Sequence, residues 1–252
     1  FDIDSQLAQK GLAAIAQNLQ VAVAKGKLSA TAKENAIARL ATATDLHVLK
    51  ADLVIEAIVE KLEVKQQLFV QLESINEGKS ILASNTSSIS ITQIAAVLKH
   101  PQQFVGLHFF NPAHLMKLVE VVSGAATDAQ VIVQMKNFAK AISKIAVDAK
   151  DSPGFIVNRV ARHYYVEALK LLEERVADAA TIDKLMRSAG FKMGPFELMD
   201  LIGIDINFAV TSSLYESFFQ EAKFRPSRIQ QQKVLAGHLG RKTGKGFYDY
   251  EK

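Results

Sequence analysis

The apolar pattern of this chain changes character at Pro153, and that change restricts the architectures open to it. Upstream, short β-rich runs alternate with amphipathic stretches. Ala51 to Ala57, Leu62 to Ile75 and Lys79 to Ala83 read as strand, helix, strand. Phe104 to Phe109, Leu118 to Val122 and Lys144 to Val147 are further strand candidates, with a helix from Asp128 to Ala141 between the last two. A helical pair, Leu7 to Lys25 and Leu28 to Leu40, precedes them. Strands alternating with helices imply an α/β domain built on a mainly parallel sheet. Downstream, Phe155 to Glu174, Asp178 to Ala189, Pro195 to Leu201, Ile206 to Glu221 and Ser227 to Ala236 all carry helical periodicity, and the tail from Gly237 to Lys252 reads as irregular. Asp151-Ser152-Pro153-Gly154 suits a hinge, because Pro fits a first helical turn and Gly tolerates unusual backbone angles. The expected division is an α/β domain over residues 1–150 and an all-helical domain over 151–252.

Composition narrows the chemistry. With 252 residues, 49% of them hydrophobic, the chain can bury one large or two moderate cores. It has no Cys, so disulfides, thiolate metal sites and a Cys nucleophile are excluded, and the active groups must be His, Ser, Asn and carboxylates. Charged residues interrupt every long apolar stretch, which argues against a membrane span. The net charge of +4 is spread along helices, which argues against nucleic acid as the main partner.

Three places combine reactive side chains with strand ends. Ser84-Asn85-Thr86-Ser87-Ser88 follows the strand KSILA, where open α/β sheets bind ligands; the same residues also suit a helix cap near Ile89. His108 ends the apolar run QFVGL, and Glu120 lies inside the strand-like run KLVEVV, where an ionised carboxylate needs a partner. A Glu facing a His fixes the imidazole tautomer and stabilises the imidazolium, which is the arrangement of a general base. Asn158 falls in the first turns of the helix after Pro153-Gly154, where it is either a satisfied interior amide or a cleft residue.

In this order and spacing, SNTSS, GLHFFNP, MKLVEVV, DSPGFIVNR and GPFELMDLIG resemble the NAD-dependent L-3-hydroxyacyl-CoA dehydrogenase family over essentially the whole chain. The resemblance implies a base at His108, its partner at Glu120, and substrate-oxygen contacts from Ser87 and Asn158. It also implies NAD contacts at Asp2, Glu60, Lys65, Ser87, Asn111 and Lys242, and contacts to the CoA side of the substrate at Asn18 and Lys25. The fold it implies is a Rossmann-like, mainly parallel sheet domain, incomplete at the N-terminus, followed by an all-helical domain, and no metal is implied. Nothing in the chain matches Gly-x-Gly-x-x-Gly, so the strand and glycine-rich turn that receive the cofactor pyrophosphate are expected upstream of Phe1. The expected whole is a cytoplasmic homodimer acting on acyl-CoA. Two alternatives stay open at this point: a dehydrogenase of a free hydroxy or sugar acid, and a non-catalytic binding protein grown from a dehydrogenase.

Overall fold

A computed structural model describes residues 1–250. The chain opens with helices α1 (Ser5–Ala24) and α2 (Ala30–Ile37), followed by β1 (Leu53–Glu56), α3 (Leu62–Ile75), β2 (Ile81–Ser84), the short α4 (Ile91–Ala95), β3 (Phe104–Phe109), β4 (Leu118–Ser123), α5 (Ala129–Ala141) and β5 (Ile145–Lys150). Helices then follow without interruption by strands: α6 (Val157–Glu173), α7 (Ala179–Ser188), α8 (Pro195–Ile202), α9 (Ile204–Ser217) and α10 (Arg228–Leu235). Among the described residues no helix is long and apolar enough to cross a membrane.

The five strands lie in the order β1-β2-β3-β4-β5, parallel at every pairing except β3 with β4. The sheet is therefore mainly parallel, as its alternation with helices suggests, with one antiparallel step where only a short loop separates two consecutive strands. Period-two alternation sorts its side chains into two cores. Val105, Leu107, Val119 and Val121 face α5, packing on Val131, Met135 and Ala139. Phe104 and Val122 face the other way, toward Phe69 and Leu72 of α3 and Ile91 and Ile94 of α4. His108 and Glu120 share that second face, one step of two residues beyond Gly106 and before Val122. A third core joins α6, α7 and α8 through Tyr165, Leu169, Ile182, Phe196 and Met199.

Element ends differ from the apolar pattern where local chemistry overrides it. Helix α1 begins at Ser5 because Asp4 caps it, its Oδ1 accepting from Gln6 N at 2.7 Å. Helix α6 starts at Val157, since Gly154 (φ 73°) and Phe155 (φ 48°) occupy left-handed backbone just before it. Helix α9 starts earlier than its apolar pattern, at Ile204 after Gly203, and ends at Ser217 before Phe219 and Gln220 turn left-handed. Strand β5 runs on to Lys150, carried by its ladder with β4, whose Ser123 pairs with Lys150. Among its described residues the C-terminal tail has only a 3-10 turn and isolated bridges, yet it is anchored by Asp200, which accepts from Phe247 N and Tyr248 N.

Candidate active site

His108 and Glu120 are direct cross-strand partners in the antiparallel register of β3 and β4. Their side chains meet on one face of the sheet, with Nδ1 of His108 at 2.7 Å from Oε2 of Glu120. Both are buried, the Glu120 side chain completely. The second carboxylate oxygen, Oε1, accepts from the backbone N–H groups of Ile156 (2.9 Å) and Val157 (3.0 Å) at the start of α6. Burial alone would raise the Glu120 carboxyl; the hydrogen bonds from His108, Val157 and Ile156 outweigh it and hold the group below the ordinary glutamate range. An ionised Glu120 fixes the proton on Nδ1 and leaves Nε2 to exchange protons. Phe110 and Phe155 flank the imidazole, with ring centroids 4.5 and 5.8 Å away.

The turn after β2 approaches the same strand end. Ser84 pairs in register with Gly106, and Asn85 Oδ1 accepts from Phe109 N at 2.8 Å, which ties the turn to the residue next to His108. Gly106 is required there: a Cβ would sit 2.7 Å from Ile91 Cδ1 and 2.8 Å from Val122 Cβ. Asn158, in the first turn of α6, reaches back with Nδ2 at 3.4 Å from the Ser87 carbonyl. His108, Glu120, Ser87 and Asn158 thus come together at the junction of the two halves. What links them is the start of α6, which bonds Glu120 on one side and the serine turn on the other.

Glu60 organises that turn from the end of β1. Its Oε1 accepts from Thr86 Oγ1, from Ser87 N at 3.1 Å and from Ser88 Oγ at 3.0 Å, while Oε2 lies 3.2 Å from Lys65 Nζ. Burial opposes the charge, but the bonds from Thr86, Lys65 and Ser88 hold the carboxyl below its ordinary range. With a side chain 38% exposed, it remains an acceptor open to a ligand. Lys65 is different. It is buried on α3 with its Nζ 2.6 Å from Glu56 Oε1, so its reach toward a ligand runs through Glu60.

Among the described residues, the other residues singled out by resemblance make no hydrogen bond or ion pair with this cluster. Asn111 is exposed in the loop after β3, where a cis Asn111–Pro112 peptide turns the chain. Asp2 accepts from Asp4 N at 3.0 Å and donates its own N–H to Ala43 O. Lys242 pairs with Asp205 at 2.6 Å. Asn18 lies exposed on α1 and Lys25 exposed at its C-cap. Among the described residues no group of His, Asp and Glu is arranged to hold a metal ion.

Glu56 is the structural partner that sequence reading passed over. Fully buried at the end of β1, it accepts from Lys65 Nζ, from Ile58 N at 2.5 Å and from Ser84 Oγ at 2.7 Å. The signal was present: a carboxylate closing the apolar run LVIE demands a partner by the same reasoning applied to Glu120.

Comparison with known proteins gives a consistent picture. Residues 1–152 match the family described as 3-hydroxyacyl-CoA dehydrogenase, NAD binding domain, and residues 154–250 match 3-hydroxyacyl-CoA dehydrogenase, C-terminal domain. The chain is 51% identical to a 3-hydroxyadipyl-CoA dehydrogenase of Escherichia coli over 99% of its own length and 53% of that protein. It is 39% identical to a probable 3-hydroxybutyryl-CoA dehydrogenase of Bacillus subtilis, covering 100% of this chain and 88% of that one. The solved structure of an (S)-3-hydroxybutyryl-CoA dehydrogenase from Ralstonia eutropha superposes with a TM-score of 0.96 at 40% identity, over 100% of this chain and 89% of that one. The chain spans about half the length of the E. coli relative and nearly nine-tenths of the other two.

Proposed function

Because the chain belongs to the 3-hydroxyacyl-CoA dehydrogenase family, we propose that it interconverts an L-3-hydroxyacyl-CoA and the 3-ketoacyl-CoA with NAD. The observation that carries this reading is the buried His108–Glu120 pair at 2.7 Å, held at the mouth of the sheet beside Ser87 and Asn158. His108 Nε2 takes the proton of the 3-hydroxyl, and Glu120 stabilises the imidazolium without itself being protonated. In the reverse direction the imidazolium returns the proton to the carbonyl oxygen. Ser87 and Asn158 hold the reacting oxygen and the thioester carbonyl, which fixes distance and orientation. Backbone bonds from Ile156 and Val157 lock Glu120, so the base is aligned before substrate arrives.

The cluster at the ends of β1 and β2 fits NAD. A partly exposed carboxylate, Glu60, is an acceptor set for ribose hydroxyls, with the Ser87 backbone N–H bonded to it, and Asn111 serves the cofactor from the exposed loop after β3. When bound, NAD supplies the hydride acceptor. Lys65 then acts through Glu60, Asp2 serves the adenine ribose, Lys242 serves the cofactor from the tail, and Asn18 and Lys25 serve the CoA side. We place the division of labour at residues 1–150 for cofactor and 151–252 for substrate and dimer formation. Exposed apolar residues of the helical half, among them Val160, Leu185 and Ile206, favour a homodimer. We read its setting as cytoplasmic acyl-CoA metabolism of the β-oxidation type.

The test is the appearance of NADH with 3-hydroxybutyryl-CoA on the full-length protein, beside free 3-hydroxybutyrate and the His108→Gln variant. The reading requires turnover of the thioester, little of the free acid, and a loss in the variant. Equal rates on acid and thioester, or no turnover of either, would overturn it.

A further inference from the structure

Arg162 lies on α6 one turn beyond Asn158 and is only 3% exposed. A cation at that depth normally faces a carboxylate. Here the groups around it are neutral. Nη1 donates to Asn207 O (2.9 Å), Asn207 Oδ1 (3.2 Å) and Thr211 Oγ1 (2.8 Å), and the guanidinium stands 5.1 Å from the Tyr165 ring centre. No Arg162–carboxylate ion pair exists among the described residues. Nε is buried without a partner, and so is Oε1 of Gln230, whose Nε2 donates to Asn207 Oδ1 at 2.8 Å. A water joining those two atoms would satisfy both and leave the positive charge uncompensated. Burial pulls the Arg162 guanidinium down to about 10, so it is still a cation at neutral pH.

Its position relates this charge to the site. Helices α6 and α9 run antiparallel, because a Cβ on Gly154 would meet Leu214 Cδ2 at 2.7 Å while Arg162 bonds Thr211 and Asn207, earlier on α9. Long helical side chains lean back toward the helix N-terminus, which brings the guanidinium toward the turn that carries Asn158. The rise between the two residues along α6 is only about 6 Å. Asn158 is the residue placed above on the substrate.

We infer that Arg162 is a specificity determinant that receives a carboxylate at the far end of the acyl chain, so that the preferred substrate is an ω-carboxy 3-hydroxyacyl-CoA with a short spacer beyond C3. This rests on the dehydrogenase reading and narrows it. The bound carboxylate supplies the missing counter-charge, whereas a methyl-terminated chain leaves the buried cation uncompensated. Neutral Asn207 and Thr211 hold Nη1 in place without cancelling the charge.

The experiment compares kcat/KM for 3-hydroxyadipyl-CoA and for 3-hydroxyhexanoyl-CoA, equal in carbon count and different only at the far end, on the full-length protein and on Arg162→Met and Arg162→Lys. The parent is expected to favour the carboxylate-bearing substrate by roughly tenfold or more, the usual scale for a charge-assisted contact. Arg162→Met should lose at least about tenfold more on that substrate than on the other, mostly in KM, and Arg162→Lys should fall between. A parent without the preference overturns the inference, as do equal losses on both substrates, which would mark Arg162 as a packing residue. If Arg162→Met does not fold, the parent ratio and Arg162→Lys decide. Turnover of neither substrate by the parent overturns the dehydrogenase reading itself, and the inference with it.

Discussion

Lys65 Nζ lies 2.6 Å from Glu56 Oε1, and both side chains are 1% exposed. This pair stands behind the Glu60 carboxylate, so a disturbance in the core of the α/β half is transmitted to the ligand-facing turn. Replacing Glu56 with Gln leaves Lys65 without its full counter-charge. Breaking a buried pair from one side costs about 3 to 5 kcal/mol. Urea unfolding of Glu56→Gln should show a loss of that order, and Glu56→Leu combined with Lys65→Met should recover part of it. Recovery stays partial because Ile58 N and Ser84 Oγ also lose their acceptor. An unchanged midpoint in the single variant would remove Glu56 from this role.

His108 and Glu120 divide one task, and their variants should divide accordingly. His108→Gln is expected to lower kcat by about two to four powers of ten, the range for a positioned acid or base, with KM within a few-fold. Glu120→Gln should also be slow, since an amide stabilises the imidazolium poorly. Steady-state kinetics on full-length protein, with circular dichroism to verify folding, checks both. A rate within a few-fold of the parent in His108→Gln would contradict the assignment.

The His108–Glu120 pair was legible in the sequence because a strand has a strict period of two. A carboxylate inside KLVEVV cannot face an apolar core alone, and the nearby His is the residue able to meet it. The alternation of strands and helices likewise revealed the sheet and the helical half. What stayed hidden depended on register or on backbone sign. The antiparallel step at β3–β4 follows from chain reversal in space, not from composition. The true start of α6 is set by left-handed Gly154 and Phe155, and Phe155 carries no sequence signal for that conformation. The isolation of Arg162 was invisible as well, because it arises from residues on α9 and α10 distant in sequence.

Acid should weaken the fold through Glu120. Its carboxyl is held below the ordinary value of 4.5: burial opposes the charge, but bonds from His108, Val157 and Ile156 favour it more strongly. A depressed folded-state value contributes stability that is fully present above the unfolded value and is lost as pH falls through the folded one. Stability measured from neutrality downward should therefore decline below about pH 4.5, less steeply in Glu120→Gln than in the parent. Parallel acid limbs in the two proteins would show that Glu120 contributes nothing to the slope.

The tail is expected to be a stability element, and glycine substitutions of opposite sign can show it. Asp200, 1% exposed, accepts from Phe247 N, Tyr248 N and Tyr250 Oη at 2.9, 3.0 and 2.9 Å. Burial and then the bond to Asp200 push the Tyr250 hydroxyl up to about 12, so the cluster stays intact through neutral pH. A Cβ at Gly246 would collide with the Asp200 carboxylate, so Gly246→Ala must displace either the tail or Asp200. Overpacking of this kind costs about 1 to 3 kcal/mol. Gly11 lies inside α1 with open space where its Cβ would be, and there Ala should stabilise by about 0.5 to 1 kcal/mol through helix propensity. Thermal unfolding of the two variants should move in opposite directions. Limited proteolysis should release the C-terminal residues from Gly246→Ala first, and a tail equally resistant in that variant and the parent would mean that Asp200 does not hold it.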